Sequence, residues 1–322
     1  MKAIVQEGSG SADALHVREI PKPTIAADRV LVRVRAASVN AADWHTVHGG
    51  VVVRAIAAAM RSPILPVRGL DLAGEVEAVG EAVTRLRPGD AVFGAGSGTF
   101  AEYAAVPEDR LAPKPARLSF EEAAALPVAG LTALQGLRDR GQLRPGKRVL
   151  VYGAGGGVGT FAVQIAKALG ARVTAVTGTR NLDIVRSLGP DDLIDYTQED
   201  VARRGERYDL ILDVAATRPL AELARLLAPD GRLVLAGAAK AGMLAVLGRM
   251  AGARLRSRFL GQHIPPLLAR VTRDDLLALA ELVESGKLRP AIDRAYPLSE
   301  AAEAVRYVGT GQARAKVVVT VA

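Results

Sequence analysis

The segment Val149-Leu150-Val151-Tyr152-Gly153-Ala154-Gly155-Gly156-Gly157-Val158-Gly159 carries the densest chemical signal in the chain. An apolar, β-branched run leads into it and a helical pattern leads out. Gly153, Gly156 and Gly159 set the spacing G-x-x-G-x-x-G. Such a loop does three physical jobs. It turns sharply off a strand, it lets backbone approach a pyrophosphate with no Cβ in the way, and it lets helix and strand pack closely. The free amides at the helix start then face the anion. A glycine triplet alone is weak evidence, but between a strand and a helix inside a βαβ series it points to a dinucleotide. The alternative is a merely flexible turn.

The following strand speaks to which dinucleotide. An NAD site usually carries an acid about 20 residues after the loop begins, where it accepts from the ribose 2′-hydroxyl. Here the strand ends Val176-Thr177-Gly178-Thr179-Arg180-Asn181, with no acid at its tip. Thr177 and Thr179 can donate hydrogen bonds, and Arg180 can pair with a 2′-phosphate. NADPH is therefore the expected cofactor. The alternative for Arg180 is a solvated residue at a helix start.

These residues need a frame. From Lys147 onward strands and helices alternate: Arg148–Tyr152, Arg172–Thr177, Leu193–Asp195, Asp209–Val214 and Arg232–Ala236 as strands, with helices at Val158–Leu169, Asn181–Leu188 and Leu220–Leu227. Strands such as Leu210-Ile211-Leu212 are apolar on both faces, as in a buried parallel sheet. The first third reads instead as β structure cut by Gly and Pro turns, with Ala3–Gln6, Val30–Ala36 and Gly74–Val79 as strands and Val51–Met60 as an Ala-rich insertion. Ser119 and Glu122 form a capping box that opens a helix after Pro107–Pro115. The expected fold is α/β, a doubly wound parallel sheet at 121–261 plus a β-barrel or sandwich at 1–120 that the segment 262–322 returns to complete.

With 322 residues, 49% hydrophobic and 24% charged, the chain has material for about two cores and is not a disordered or collagen-like sequence. It has no cysteine, so disulfides, thiolate zinc, iron–sulfur clusters and cysteine nucleophiles are excluded together. The net charge of +8 is dispersed, and its densest stretch, Arg249, Arg254, Arg256 and Arg258, has no interleaved aromatics. That argues against nucleic acid as the main partner. No apolar run reaches the ~18 residues of a membrane span and the N-terminus lacks a signal-peptide core, so a cytoplasmic protein is expected.

Six landmarks together resemble the medium-chain dehydrogenase/reductase superfamily, and most of all its zinc-independent, quinone-oxidoreductase-like branch. They are Ala36-Ala37-Ser38-Val39-Asn40-Ala41-Ala42-Asp43, Gly69-Leu70-Asp71-Leu72-Ala73-Gly74, Arg87-Pro88-Gly89-Asp90-Ala91-Val92-Phe93-Gly94, Phe100-Ala101-Glu102-Tyr103, Ala125-Leu126-Pro127-Val128-Ala129-Gly130-Leu131-Thr132-Ala133-Leu134, and the glycine loop. The resemblance spans nearly the whole chain. It implies a GroES-like barrel that carries the substrate site, a Rossmann domain and a homodimer, joined through an edge strand near Arg254–Leu260.

Where the zinc-dependent relatives place ligands, this chain has Asn40 and Leu70, and the four-cysteine lobe is missing. An amide and a hydrocarbon do not replace a thiolate and an imidazole on Zn²⁺. A His45/His48/Asp43 site is a weaker signal than surface or cleft histidines, and no metal is expected. The resemblance then implies direct hydride transfer to a quinone or an α,β-unsaturated carbonyl, because without a Lewis acid a plain ketone is hard to polarise. Asn40 is either a donor to the acceptor oxygen or a turn-stabilising amide. Asp43 orients the loop, and Trp44 either walls the pocket or is structural. For the cofactor the resemblance suggests Tyr196 at the adenosine 2′-phosphate and Gly237 beside the nicotinamide ribose. Lys316 either reaches the cofactor from the last strand or is a solvated end residue.

Enoyl-thioester reductases of the same scaffold share Asn40, Asp43 and Gly49, but their proton-donating Tyr corresponds to Val51. The insertion that starts there suggests an apolar lid edged by Arg54 and Arg61. An enoyl-thioester reductase and a non-catalytic NADPH-binding sensor or assembly protein are the competing readings.

Overall fold

The computed structural model describes residues 1–8, 10–48, 66–237, 248, 251–253, 263–265 and 267–322. Gly49, the 51–60 insertion, Arg54, Arg61, Arg249 and the 254–260 edge segment lie outside the described residues. The chain divides into two units, one made of Met1–Val128, Val271–Glu284 and Pro290–Ala322, the other of Ala129–Arg270 and Ser285–Arg289.

The first unit is built around β3 (Arg29–Val39). A two-stranded ribbon, β1 (Lys2–Gln6) and β2 (Leu15–Glu19), precedes it. Helix α1 (Ala41–His48) follows directly. Next come β4 (Asp71–Val79), β5 (Ala91–Ala95), β6 (Tyr103–Pro107) and β7 (Leu111–Pro113). β3 pairs along its length with β4, while its first half also pairs β6 and its last residues pair β14 (Lys316–Thr320). The last strand of the chain thus joins the sheet through Val317 opposite Val39. Alternate residues Val30, Val32 and Val34 face one core together with Leu72, Phe100, Val106, Val317 and Val319. Arg33 and Arg35 stay at least partly exposed, while Leu31 and all of 36–39 are buried, so the second half of the strand is covered on both faces.

Two helices follow, α2 (Phe120–Ala125) and α3 (Pro127–Gln135). Ser119 caps α2, and the reciprocal bond from Glu122 completes the capping box. Its residues Ala123, Ala124 and Ala125 are fully buried and the helix packs on β3 and β4. That packing places α2 in the first unit, so the division falls after Val128 and not at the 120/121 boundary expected from sequence. The second boundary moves too, from 261/262 to 270/271. His263 explains this, since its carbonyl accepts from the Leu233 N–H and it bridges to Arg232, which makes it part of the second unit's own sheet.

The second unit alternates β8 (Arg148–Tyr152), α4 (Gly157–Ala168), β9 (Arg172–Thr177), α5 (Leu182–Ser187), β10 (Asp192–Asp195), β11 (Tyr208–Asp213), α6 (Leu220–Arg225) and β12 (Leu227–Leu235). The strands are all parallel, in the order β10-β9-β8-β11-β12. The first strand, β8, lies in the middle, with β9 on one side and β11 on the other. The strand order therefore reverses at its C-terminal end, which is where open α/β sheets bind ligands. α7 (Arg273–Glu284), β13 (Ile292–Pro297) and α8 (Ala301–Gly309) return to the first unit ahead of β14. No helix among the described residues is long and apolar enough to cross a membrane.

Candidate nucleotide site and buried polar cluster

The glycine loop sits at the reversal point. Gly153 and Ala154 both donate to the carbonyl of Val176, which folds the loop across the end of β9. Each glycine meets different surroundings. Gly153 has φ +96°, a left-handed conformation that favours glycine. At Gly159 a Cβ would lie 2.2 Å from the Gly153 carbonyl oxygen, so this position exists for close helix–loop packing. At Gly155 a Cβ would strike Asn181 and Thr177 side chains at 2.5 and 2.6 Å. Gly156 alone of these is open, with its nearest neighbour 3.8 Å away. It is the N-cap of α4, no side chain caps that helix, and Gly157 and Val158 form its first turn. Gly156 gives its own N–H to the Gly153 carbonyl at 3.3 Å, and the first-turn amides that follow it, in a helix with no side-chain cap, suit a pyrophosphate.

The neighbouring strand ends supply the rest. Thr177 is buried, with its hydroxyl turned toward Gly155. Arg180 is exposed just beyond β9. Tyr196 is 59% exposed, donates its backbone N–H to Thr177 and lays its ring against Gly178. Asn181 leaves its buried Oδ1 without a protein partner, an acceptor suited to a hydroxyl of a bound ligand. Gly237 follows β12 with its Cα pressed on Val214, where a Cβ would lie 1.9 Å from the carbonyl oxygen.

Thr179 departs from expectation. Its hydroxyl donates to Asp195 Oδ2 at 2.6 Å, so it is engaged by a carboxylate and is not free to donate to a phosphate. These residues fit a dinucleotide: an uncapped helix start at Gly157 and Val158 with room for a ligand at Gly156, an orphaned acceptor at Asn181, and a cation and a phenol at two adjacent strand ends.

In the first unit the chemistry is closed in on itself. Asp71 opens β4, fully buried. Its Oδ2 accepts from Ser38 Oγ at 2.7 Å, from Asn40 Nδ2 at 2.8 Å and from Lys316 Nζ at 3.5 Å, and its Oδ1 accepts from the Val128 backbone N–H in the first turn of α3 at 2.9 Å. Lys316 also donates to Asn40 Oδ1 at 2.8 Å. Lys316 was expected either at the cofactor or in solvent. It is 2% exposed, and burial lowers its pKa while Asp71 and Asp43 oppose the shift. The reason is mutual need: a buried ammonium requires a carboxylate, and Asp71 is the one at hand.

The Asn40 side chain is engaged by Asp71 and Lys316, partners distant in sequence and not in its own turn. Asp43 accepts the Asn40 backbone N–H at 2.8 Å. Burial pushes its pKa up to about 7; the Asn40 N–H opposes that shift and nearby Asp71 reinforces it. Trp44 stacks on His48 with ring centres 4.5 Å apart and abuts Gly309, where a Cβ would lie 2.1 Å from Nε1. That packing is structural.

Sequence reasoning passed over Ser38 and Asp71 as site residues. The available signal was Asp71 itself, a carboxylate set between Leu70 and the apolar run Leu72-Ala73-Gly74.

The cluster does not suit a zinc ion. The chain has no thiolate, Asn40 and Asp71 already bind the ammonium of Lys316, and a second cation would be repelled by it. His48 turns its Nδ1 to the Trp44 carbonyl, and His45, Asp43 and His48 are not brought together as ligands. Among the described residues no group of three or more His, Cys, Asp or Glu could hold a metal.

The comparisons with known proteins bear on the two-unit fold and on the family. Residues 26–116 match the alcohol dehydrogenase GroES-like domain, and residues 188–319 match the family described as zinc-binding dehydrogenase. The chain is 33% identical to the chloroplastic quinone-oxidoreductase QR1 of Triphysaria versicolor, over 99% of this chain and 98% of that protein. It is 34% identical to the chloroplastic NADPH-dependent alkenal/one oxidoreductase of Arabidopsis thaliana, over 99% of this chain and 79% of that one. The quinone oxidoreductase of Coxiella burnetii superposes with a TM-score of 0.88 at 30% identity, covering 100% of this chain and 99% of that one. A GroES-like unit built on β3, a parallel unit wound about a glycine loop, and full-length relatives of this kind lead to one conclusion: the chain belongs to the quinone-oxidoreductase-like branch of the medium-chain dehydrogenase/reductase family.

Proposed function

We propose that this protein is an NADPH-dependent, metal-independent oxidoreductase that reduces quinones or α,β-unsaturated carbonyls. The observation that carries the reading is the uncapped start of α4 at the glycine loop, with the buried, unpartnered Oδ1 of Asn181 and the exposed Arg180 and Tyr196 at the neighbouring strand ends. The names of the two relatives, a quinone oxidoreductase and an NADPH-dependent alkenal/one oxidoreductase, supply the substrate class. When bound, NADPH supplies the hydride.

The chain's residues do the holding. Gly157 and Val158 present amides to the pyrophosphate, Gly156 leaves room for its approach, and the absence of a Cβ at Gly153, Gly155 and Gly159 shapes the loop around it. Arg180 and Tyr196 hold the 2′-phosphate, and Asn181 accepts from the nucleotide. Gly237 keeps the end of β12 low beside the site. In the first unit Asp71 and Lys316 fix Asn40, and Asp43 fixes the start of α1, so these are positioning residues. A conjugated acceptor is already polarised, which suits a chain whose polar cluster offers no Lewis acid. The same reading takes the protein as a cytoplasmic homodimer, to be checked by its sedimentation and by fractionation.

The test is stopped-flow oxidation of NADPH with quinones and enones after chelation, alongside Arg180→Asp. The expected result is turnover that survives chelation, and a loss of about 10-fold or more in NADPH affinity with NADH affected far less. No turnover with any acceptor, or equal losses for both nucleotides, would overturn the reading.

A further inference from the structure

The end of β10 carries a charge that the nucleotide reading does not use. Asp195, immediately before Tyr196, is locked in place from several directions. Thr179 Oγ1 donates to its Oδ2 at 2.6 Å. Thr197 donates to its Oδ1 twice, through Oγ1 at 2.8 Å and through the backbone N–H at 3.0 Å. The two hydroxyls also sit 2.8 Å from each other. These bonds, that from Thr179 foremost, hold the Asp195 pKa below the ordinary carboxylate value, so the group is an anion at neutral pH.

Thr179 is chain neighbour to Arg180, and Asp195 is chain neighbour to Tyr196. Asp195 therefore fixes a negative charge at the same two strand ends that carry Arg180 and Tyr196. The same carboxylate also engages the Thr179 hydroxyl, which would otherwise be a donor to that phosphate.

We propose that Asp195 is a specificity-determining residue that works against the 2′-phosphate: it narrows the preference for NADPH over NADH below what Arg180 and Tyr196 would give alone, and offers an acceptor to a free 2′-hydroxyl. This rests on the nucleotide site proposed above. A like charge near a doubly charged phosphate disfavours it, whereas a ribose hydroxyl meets no such penalty.

Asp195→Asn is the direct test. Asn keeps Oδ1 to accept the Thr197 N–H, so the turn is preserved, while the charge is removed. Dissociation constants for NADPH and NADH are read from nucleotide fluorescence at low and high salt. NADPH is expected to bind about 3- to 10-fold tighter to the variant, and NADH no tighter, at low ionic strength. The gain should shrink as salt rises, because only an electrostatic effect is screened.

A second variant, Thr197→Val, keeps the charge but removes one of its hydroxyl partners, and should leave the NADPH to NADH ratio within about twofold of the parent. Asp195→Asn without a change in that ratio, or with an equal gain for both nucleotides, overturns the proposal. Failure of the parent protein to bind either reduced nucleotide overturns the nucleotide site itself, which is a separate outcome.

Discussion

The two units treat polar groups in opposite ways. In the first, Ser38, Asn40, Asp71 and Lys316 are buried and bonded to one another, with the amide of Val128 as a further donor to Asp71. In the second, no side chain caps the start of α4, Asn181 keeps a buried acceptor without a partner, and the side chains of Arg180 and Tyr196 are exposed. A buried group that lacks its partner costs stability, so a closed network marks what holds a fold together. A polar surface left incomplete marks what a ligand completes. Family membership alone would not have separated the two, since Asn40 and Lys316 stand beside the glycine loop among the residues singled out from sequence.

The contrast can be broken most sharply at Asp71. Asp71→Leu strands the Lys316 ammonium in the core and is expected to cost about 3–5 kcal/mol, read by denaturant unfolding. Adding Lys316→Met should restore much of that loss, because an apolar pair can replace a buried ion pair but half of one cannot remain. A harmless Asp71→Leu would show that the cluster does not hold the fold.

Next in size is a pair of changes in one loop. Gly159→Ala forces a Cβ against the Gly153 carbonyl and should destabilise by about 2–3 kcal/mol. Gly156→Ala meets nothing closer than 3.8 Å and should leave stability within about 0.5 kcal/mol. Its effect should fall on the ligand instead, weakening NADPH about 10-fold by titration, because the added methyl stands where the pyrophosphate approaches. Equal effects of the two on stability would erase the distinction between packing glycine and ligand glycine.

The smallest effect separates the buried acid from the surface ones. Folding raises the pKa of Asp43 from 3.8 to about 7. Across that window the unfolded chain has lost a proton that the folded chain still holds, so stability from this group falls as pH rises from about 4 to about 7. Asp43→Asn removes the slope. It should stabilise relative to the parent by about 1–2 kcal/mol at alkaline pH and by little at acid pH, by denaturation at both. The same gain at both would mean that Asp43 titrates normally in the fold.

How much was legible follows from sequence distance. The capping box of Ser119 and Glu122, the strand–glycine–helix passage at 148–168 and the alternation of β8 to β12 are local patterns, and the structure has each of them. The Thr179 hydroxyl was misread because its partner Asp195 comes from the next strand over. Lys316 was misread more widely, since its partner Asn40 lies 276 residues away and no local pattern announces such a pair.

By itself, the sequence determined the fold class, the absence of thiolate chemistry and the position of the glycine loop between strand and helix, because residue periodicity, composition and glycine spacing act over a few neighbours. Only the tertiary structure decided which polar residues are closed upon each other and which stay open. That depends on which strand ends and helix starts meet, and burial then makes every unpaired charge or amide among them costly enough to seek a partner.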